Sequence, residues 1–288
     1  FVGWNEREGL EMESRQFMKF LEGDAEYDRD FLHWRLQNLL VPCCSLIPSC
    51  TGFTVCSSRR EARHIETGLA RHVFPVGYTT RYPINRNTSD HIAHSIAAGD
   101  DVPSVQVPPQ ALRHVTAWLN SRAGGRKTVT ITLREASYSQ PRNSDLEAWG
   151  TFIESLSTDH YHMVVIRDTE ASAPLPPSFR KANVFHEGPW TIPLRAAMYE
   201  LSYLNLMVSS GPATLCYFNA ATRYIIFKIV TEATVSTAEF LERRGMRKGD
   251  QWPSAANKLQ RMVWETDSYE VISEEFANMV SRIDAASP

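Results

Sequence analysis

The run Leu204–Phe218, Leu-Asn-Leu-Met-Val-Ser-Ser-Gly-Pro-Ala-Thr-Leu-Cys-Tyr-Phe, decides the fold class. Its first half is a short apolar run bounded by turn residues, which suits a buried strand; its second half carries apolar residues at helical spacing. Between them stands Ser209-Ser210-Gly211-Pro212. Glycine permits a tight turn, and proline is well tolerated at the first helical position, where its missing N–H would have had no partner. A helix is therefore expected to start at Pro212. Such a start leaves the N–H groups of Ala213 and Thr214 free and puts roughly half a positive charge at the carboxyl end of a strand, a setting for a phosphate or carboxylate. Many strand-turn-helix junctions in α/β proteins bind nothing, so the turn gains weight only from what surrounds it.

Downstream and upstream of this run the same alternation recurs. Thr128–Leu133 is a strand of alternating β-branched and polar residues that ends in Arg134-Glu135. After a polar loop, Tyr138–Asn143, Ser144 with Glu147 forms a capping-box pattern for a helix over Asp145–Ser157. His162–Ile166 is the next strand, ending in Arg167-Asp168, and Val184–His186 another, ending in Glu187-Gly188. A helix at Pro193–Leu201 leads into Leu204–Val208, and Tyr224–Lys228 adds a further strand. Five strands alternating with helices predict a doubly wound parallel sheet. Parallel strands deliver their carboxyl ends to one edge, which gathers Arg134, Asp168, Glu187 and the Ser209–Thr214 turn on one rim, where ligands sit in open α/β sheets.

At 288 residues the chain exceeds the usual single-domain length, so two α/β domains are expected. The polar, glycine-containing stretch Ser121–Lys127 places the boundary, with an N-terminal domain over 1–122 and a C-terminal Rossmann-like domain over 123–288. In the first part, Tyr27–Leu40 reads as a helix closed by Pro42, Gly52–Ser57 as a strand, Arg59–Ala70 as a helix and His72–Tyr78 as a second strand. Met12, Phe17, Met18, Phe20 and Leu21 make one amphipathic face, Thr88-Ser89-Asp90 is placed to cap a helix over His91–Ala98, and a helix is expected at Gln110–Asn120.

Composition closes off several classes. Hydrophobic residues are 43%, charged residues 22% and the formal net charge is −3, so nothing points to a nucleic-acid surface or an acidic tail. No apolar run reaches the ~18 residues of a membrane span. Phe1-Val2-Gly3-Trp4 offers no basic region followed by an apolar core, so no signal peptide is expected and the chain is assigned to the cytoplasm. The five cysteines form no Cys-x-x-Cys pair, and His91 and His94 lack a carboxylate at ligand spacing, so no metal site is expected. Asn87-Thr88-Ser89 matches a glycosylation acceptor, read as chance without a secretory route. No Gly-x-Gly-x-x-Gly, no Walker A loop and no Gly-x-Ser-x-Gly elbow occurs, which sets aside dinucleotide, P-loop and α/β-hydrolase chemistry.

Arg134-Glu135 closing a strand, Arg142-Asn143-Ser144 opening a helix, and Ser209-Ser210-Gly211-Pro212 opening another resemble the donor half of GT-B glycosyltransferases, in particular the fucosyltransferase-like and heptosyltransferase-like groups. The likeness covers about Thr128–Ser281, with Gln251-Trp252-Pro253 and Gln260–Glu265 resembling the tails of such proteins. The resemblance implies two Rossmann-like domains and a sugar nucleotide lying along the strand ends of the second, with a glycan or other hydroxyl acceptor approaching from the first. Arg134 then matches the basic residue on the diphosphate, with Arg142 a second candidate. The Ser209, Ser210, Gly211, Pro212, Ala213 and Thr214 turn matches the phosphate-holding helix start, His186 and Glu187 face the base or ribose, and Asp168 is a further donor-binding candidate on the same rim. No cofactor besides the donor is implied.

Cleaving a sugar from a nucleoside diphosphate builds negative charge on the leaving oxygen. Without a metal, an arginine and a helix start must stabilise it, a role worth roughly 3–4 kcal/mol per well-placed donor. The acceptor's base should come from the first domain, where Asp28, Asp30 and His33 are not separable and no catalytic residue is named. A protein of the same architecture that binds a nucleotide or glycan, or scaffolds partners, without turnover is the alternative, and a sugar-nucleotide epimerase a third, weaker option.

Overall fold

The computed structural model describes residues 33–69, 72–73, 78–80, 89–100, 102, 105–169, 171–255 and 258–286. Its centre is one six-stranded sheet: β1 (Lys127–Thr132), β2 (Tyr161–Ile166), β3 (Asn183–Val184), β4 (Leu204–Val208), β5 (Tyr224–Phe227) and β6 (Gln260–Met262). The spatial order is β3-β2-β1-β4-β5-β6, and every neighbouring pair is parallel. From β1 the chain winds outward through β2 to β3. It then returns to the middle and winds the other way through β4, β5 and β6. This is the doubly wound order of Rossmann-type sheets, with its topological switch point between β1 and β4.

The helices follow from strand periodicity. Val129 and Ile131 of β1, Met163 and Val165 of β2 and Leu206 and Val208 of β4 pack on one face with Trp149, Phe152 and Phe276. These aromatics come from α5 (Leu146–Ser155) and α9 (Tyr269–Ala286). The intervening residues Val164, Ile166 and Met207 face the other way, towards α4 (Pro109–Ala123), α6 (Ile192–Leu201) and α7 (Ala213–Tyr217). Strands buried on both faces read as near-continuous apolar runs, which is why they stood out in the sequence. On β1 the second face is threonine, and the hydroxyls of Thr130 and Thr132 pair with Ser202 Oγ at 2.6 Å and Tyr199 OH at 2.8 Å. Buried hydroxyls are tolerated because they are satisfied in this way.

Helix α4 lies in this layered structure, with Val115 and Leu119 in the same cluster as Val164 and Ile166. It ends on Gly124 at φ 56°, a left-handed cap that turns the chain into β1. Residues 121–127, read from composition as a linker, are the last turn of α4, this cap with the turn after it, and the first residue of β1. Before α4 run a π-helical turn (Leu36–Leu40), α1 (Val41–Cys44), α2 (Arg59–Leu69) and α3 (Ser89–Ala97). Helix α8 (Ala238–Glu242) precedes β6.

Several expectations are corrected. Residues 52–57 form no strand: Phe53 is 58% and Val55 52% exposed, so an alternating pattern found no sheet to join. Pro42 does not close a helix but lies near the start of α1, where its missing N–H is harmless. The N-cap of α5 is Asp145, whose carboxylate accepts from Glu147 N and Ala148 N, both at 3.1 Å, because Ser144 Oγ is already taken by Arg134 N at 2.9 Å. The sheet has a sixth strand, β6, which no strand pattern announced. The amphipathic face at Met12–Leu21, the candidates Asp28 and Asp30, and the centre of the expected strand His72–Tyr78 lie outside the described residues.

Candidate functional site

The loop after β1 is wired from within. Arg134 N donates to Ser144 Oγ and Ser144 N returns to Arg134 O, both at 2.9 Å, closing residues 134–144 at the neck. Asn143 braces the interior, its Nδ2 donating to Ala136 O at 2.9 Å and its Oδ1 accepting from Ala136 N at 3.2 Å. The Arg134 side chain is the central post. Its guanidinium donates to Asn143 Oδ1, to Ser139 O at 3.2 Å and to Tyr138 O at 3.0 Å, and stands over the Tyr138 ring. Arg134 is 5% exposed, so its charge is held inside the loop. Ser139 adopts φ 50°, an uncommon conformation for a residue other than glycine, and turns the chain into the short 3-10 segment Gln140–Arg142.

That segment throws Arg142 across the switch point. Its Nη2 donates to Ser209 O at 3.1 Å, directly beyond β4, while its Nε–H is buried with no acceptor among the described residues. Burial first, and then the neighbouring charge of Arg134, pull the Arg142 pKa down from the usual guanidinium value. Both effects penalise the cation and both would be relieved by an anion. A third guanidinium, Arg195 of α6, is 6% exposed and donates to Gly188 O at 2.8 Å and Arg167 O at 3.4 Å. Among the described residues none of these three arginines has a carboxylate within 4.0 Å. Arg167, by contrast, is paired two-pronged with Glu135.

The turn after β4 departs from expectation. Ser209 N extends the ladder by donating to Phe227 O at 2.9 Å. The N–H groups of Ala213 and Thr214, expected to be free, donate to Ser210 O and Gly211 O, both at 3.1 Å. Helix α7 is only five residues long and opens with tight i→i+3 bonds, which consume the first donors. Pro212 is its N-cap, one position before the expected role. Gly211 is outside the left-handed region, and a Cβ built on it meets nothing within 4 Å, so it is not required by sterics.

Asp168 staples the ends of β1 and β2: it accepts from Glu135 N at 3.3 Å and Thr169 N at 2.8 Å. His186 is exposed and Glu187 half-buried beyond β3, two strands from the switch point. The structure thus brings Arg134, Arg142 and Ser209 together, and leaves His186 and Glu187 further along the edge.

Two residues passed over by sequence reasoning complete the rim. Lys228, at φ 58° just after β5, forms an ion pair with Asp267 at 3.0 Å and donates to Asn143 O at 2.7 Å. Asp267 is fully buried and also accepts from Asp145 N at 2.8 Å and Trp149 Nε1 at 2.9 Å. Lys228 ends a strand as Arg134 does, and that position was the available signal; its partner is too distant in sequence to have been found.

A polar concavity lined by Gly125, Arg126, Lys127, Asp159 and His160 lies at the opposite, amino edge. Its cations are engaged: Arg126 donates to three main-chain carbonyls and Lys127 pairs with Asp284 at 3.1 Å. Among the described residues no His, Cys, Asp and Glu group is arranged to hold a metal, and no helix is long and apolar enough to cross a membrane.

No protein-family profile and no curated protein sequence matches the chain. Among solved structures it is similar to a glycosyl transferase family 9 protein from Veillonella parvula DSM 2008, with a TM-score of 0.43 and 12% identity. The alignment covers 62% of this chain and 47% of that one, so the chain spans about half of its length.

Proposed function

We propose that the switch point of this sheet binds the diphosphate of a sugar nucleotide, and that the chain is the donor-binding part of a metal-independent, GT-B-type glycosyltransferase. The observation that carries the anion reading is the neighbouring pair of buried Arg134 and half-buried Arg142, with no carboxylate partner among the described residues and with the Arg142 Nε–H buried and unsatisfied among them. Buried like charges without counter-ions are costly, and an anionic ligand bound between the β1 and β4 loops offsets that cost. Arg142 makes the direct contact and Arg134 reinforces the field from inside the loop. The 209–214 turn borders the site, its Ser209 carbonyl accepting from Arg142 and so orienting that guanidinium. His186 and Glu187 would face the base or ribose, with Asp168 as a further donor-binding residue at the neighbouring strand end.

The glycosyl-transfer half of the proposal rests on the sequence resemblance of Arg134-Glu135, Arg142-Asn143-Ser144 and Ser209-Ser210-Gly211-Pro212 to GT-B donor domains. The division into an acceptor part before about residue 122 and a donor part after it belongs to the same proposal, with α4 packed on the donor sheet.

The test is a thermal-shift screen of the UDP, GDP, ADP, CMP and dTDP series, followed by assay of sugar release from the donor whose nucleotide binds. A ligand at ~100 times its dissociation constant stabilises the fold by about 2.7 kcal/mol. A shift with a nucleoside diphosphate but not its nucleoside supports the anion site. Binding without sugar release or transfer would reduce the function to nucleotide recognition. No shift with any of the series would overturn the proposal.

A further inference from the structure

Among the described residues, two other than glycine have a left-handed backbone: Ser139 at φ 50° and Lys228 at φ 58°. Such a conformation is unfavourable for a residue with a side chain and persists where the surroundings hold it. At Lys228 the holding bonds form a ring that runs through Arg142. The carbonyl of Phe227, directly before Lys228, accepts from Ser209 N at 2.9 Å. Ser209 O accepts in turn from Arg142 Nη2 at 3.1 Å. Asn143 follows Arg142 in the chain, and its carbonyl accepts from Lys228 Nζ at 2.7 Å, which closes the ring. Asp267 reinforces the closure, its Oδ1 pairing with Lys228 at 3.0 Å and its Oδ2 accepting from Asp145 N at 2.8 Å. Ammonium and carboxylate together hold the peptide groups on either side of Ser144.

We infer that Lys228 is a positioning residue of the anion site: through Asn143 it fixes the 3-10 segment that carries Arg142, and so sets where that guanidinium meets a phosphate. The inference rests on the anion reading above and adds to it the device that aims the arginine. Among the described residues the Arg142 guanidinium makes one hydrogen bond, to Ser209 O, and its Nε–H makes none. Its place therefore depends on its backbone. Ser139 holds that backbone from one side, accepting from Arg142 N at 3.0 Å, and Lys228 holds it from the other. A group fixed in advance loses less freedom on binding, which favours affinity.

The experiment titrates inorganic pyrophosphate calorimetrically into the parent, Lys228→Arg, Lys228→Met and the double variant Lys228→Met with Asp267→Asn, each checked for native near-ultraviolet circular dichroism. The double variant loses one positive and one negative charge together, so a change in affinity reports position rather than net charge. Its asparagine carbonyl can still accept from Asp145 N and Trp149 Nε1, which both use Oδ2. Lys228→Met and the double variant should bind about tenfold more weakly, the order of effect when partners that orient metal-holding side chains are removed. Lys228→Arg, which keeps a charged donor for Asn143 O and Asp267, should bind nearly as the parent does. Leu119→Ala, destabilised in α4, should keep the parent affinity, which separates positioning from stability. Parent affinity in the double variant, Lys228→Arg as weak as Lys228→Met, or an equal loss in Leu119→Ala overturns the positioning role and leaves the anion reading standing. A parent that does not bind pyrophosphate overturns the anion reading and the positioning role with it.

Discussion

Removing the Asp267 carboxylate tests how the rim is held together. Asp267 is fully buried and bonds Lys228 Nζ at 3.0 Å, Asp145 N at 2.8 Å and Trp149 Nε1 at 2.9 Å. It thereby joins the end of β5, the start of α5 and the segment before α9. In Asp267→Ala the Lys228 ammonium, 17% exposed, keeps its charge but loses its counter-ion, and two buried N–H groups lose their acceptor. Breaking a buried pair in this way costs about 3–5 kcal/mol. Leaving a single buried donor unsatisfied costs about 1–3 kcal/mol, and because all three losses share one cavity they do not add fully. The expected total is about 3–5 kcal/mol, a large share of a typical stability of roughly 5–15 kcal/mol. Urea unfolding should show a lower midpoint with an unchanged slope. Lys228→Met should be destabilising too, and the double variant Asp267→Asn with Lys228→Met should cost less than the sum of its single changes. An Asp267→Ala cost below about 1 kcal/mol, or strict additivity in the double variant, would refute the account of this network.

Three further outcomes follow from the structure. His162 is 3% exposed, and burial, partly opposed by its hydrogen bond to Asn183, lowers its pKa. The unfolded histidine then takes up a proton near pH ~6.5 while the folded one resists, so its stability contribution is present above that pH and is lost on acidification below it. Comparing melting temperatures of the parent and His162→Gln from about pH 8 to about pH 5 should show the advantage of the parent shrinking; a constant difference would contradict this. In Gly150→Ala the new Cβ would collide with Ser178 Oγ and stand 2.8 Å from Ser178 Cβ. Overpacking of about 1–3 kcal/mol should outweigh the helix-propensity gain, with recovery in Gly150→Ala combined with Ser178→Gly, and a stabilised single variant would show the packing to be looser than described. Leu119→Ala should cost about 2–5 kcal/mol in the same unfolding transition as the sheet, and a separate transition would place α4 outside that core.

The strands were legible because the central ones are buried on both faces and are built from apolar and β-branched residues, β1 alternating Val129 and Ile131 with threonines. Strand β6 was hidden because it is only Gln260-Arg261-Met262, with a charged residue at its middle and a long excursion before it. Gly52–Ser57 misled for the opposite reason: Phe53 and Val55 alternate as in a strand, but strand character is a property of the neighbouring chain as much as of the segment. At the site, the position of Arg134 followed from the direction of β1, while its partners did not, since the loop that surrounds it folds through contacts between residues 134 and 144. The capping box at Ser144 was displaced by a bond to Arg134 N, and the donors of Ala213 and Thr214 were consumed because α7 is too short to settle into α-geometry at its start. Lys228 and Asp267 meet only in space.

The central claim is that the switch point holds a diphosphate through Arg142. It is tested most directly by calorimetric titration of the parent and Arg142→Gln with the selected nucleoside diphosphate and with its nucleoside, in the presence of EDTA. Loss of a hydrogen bond to a charged group costs about 1.5–3 kcal/mol, so the diphosphate should bind about ten- to a hundredfold more weakly to Arg142→Gln while nucleoside affinity is unchanged. Equal diphosphate affinity in a folded Arg142→Gln, or binding by the parent that disappears in EDTA and returns with Mg²⁺ or Mn²⁺, would contradict the account.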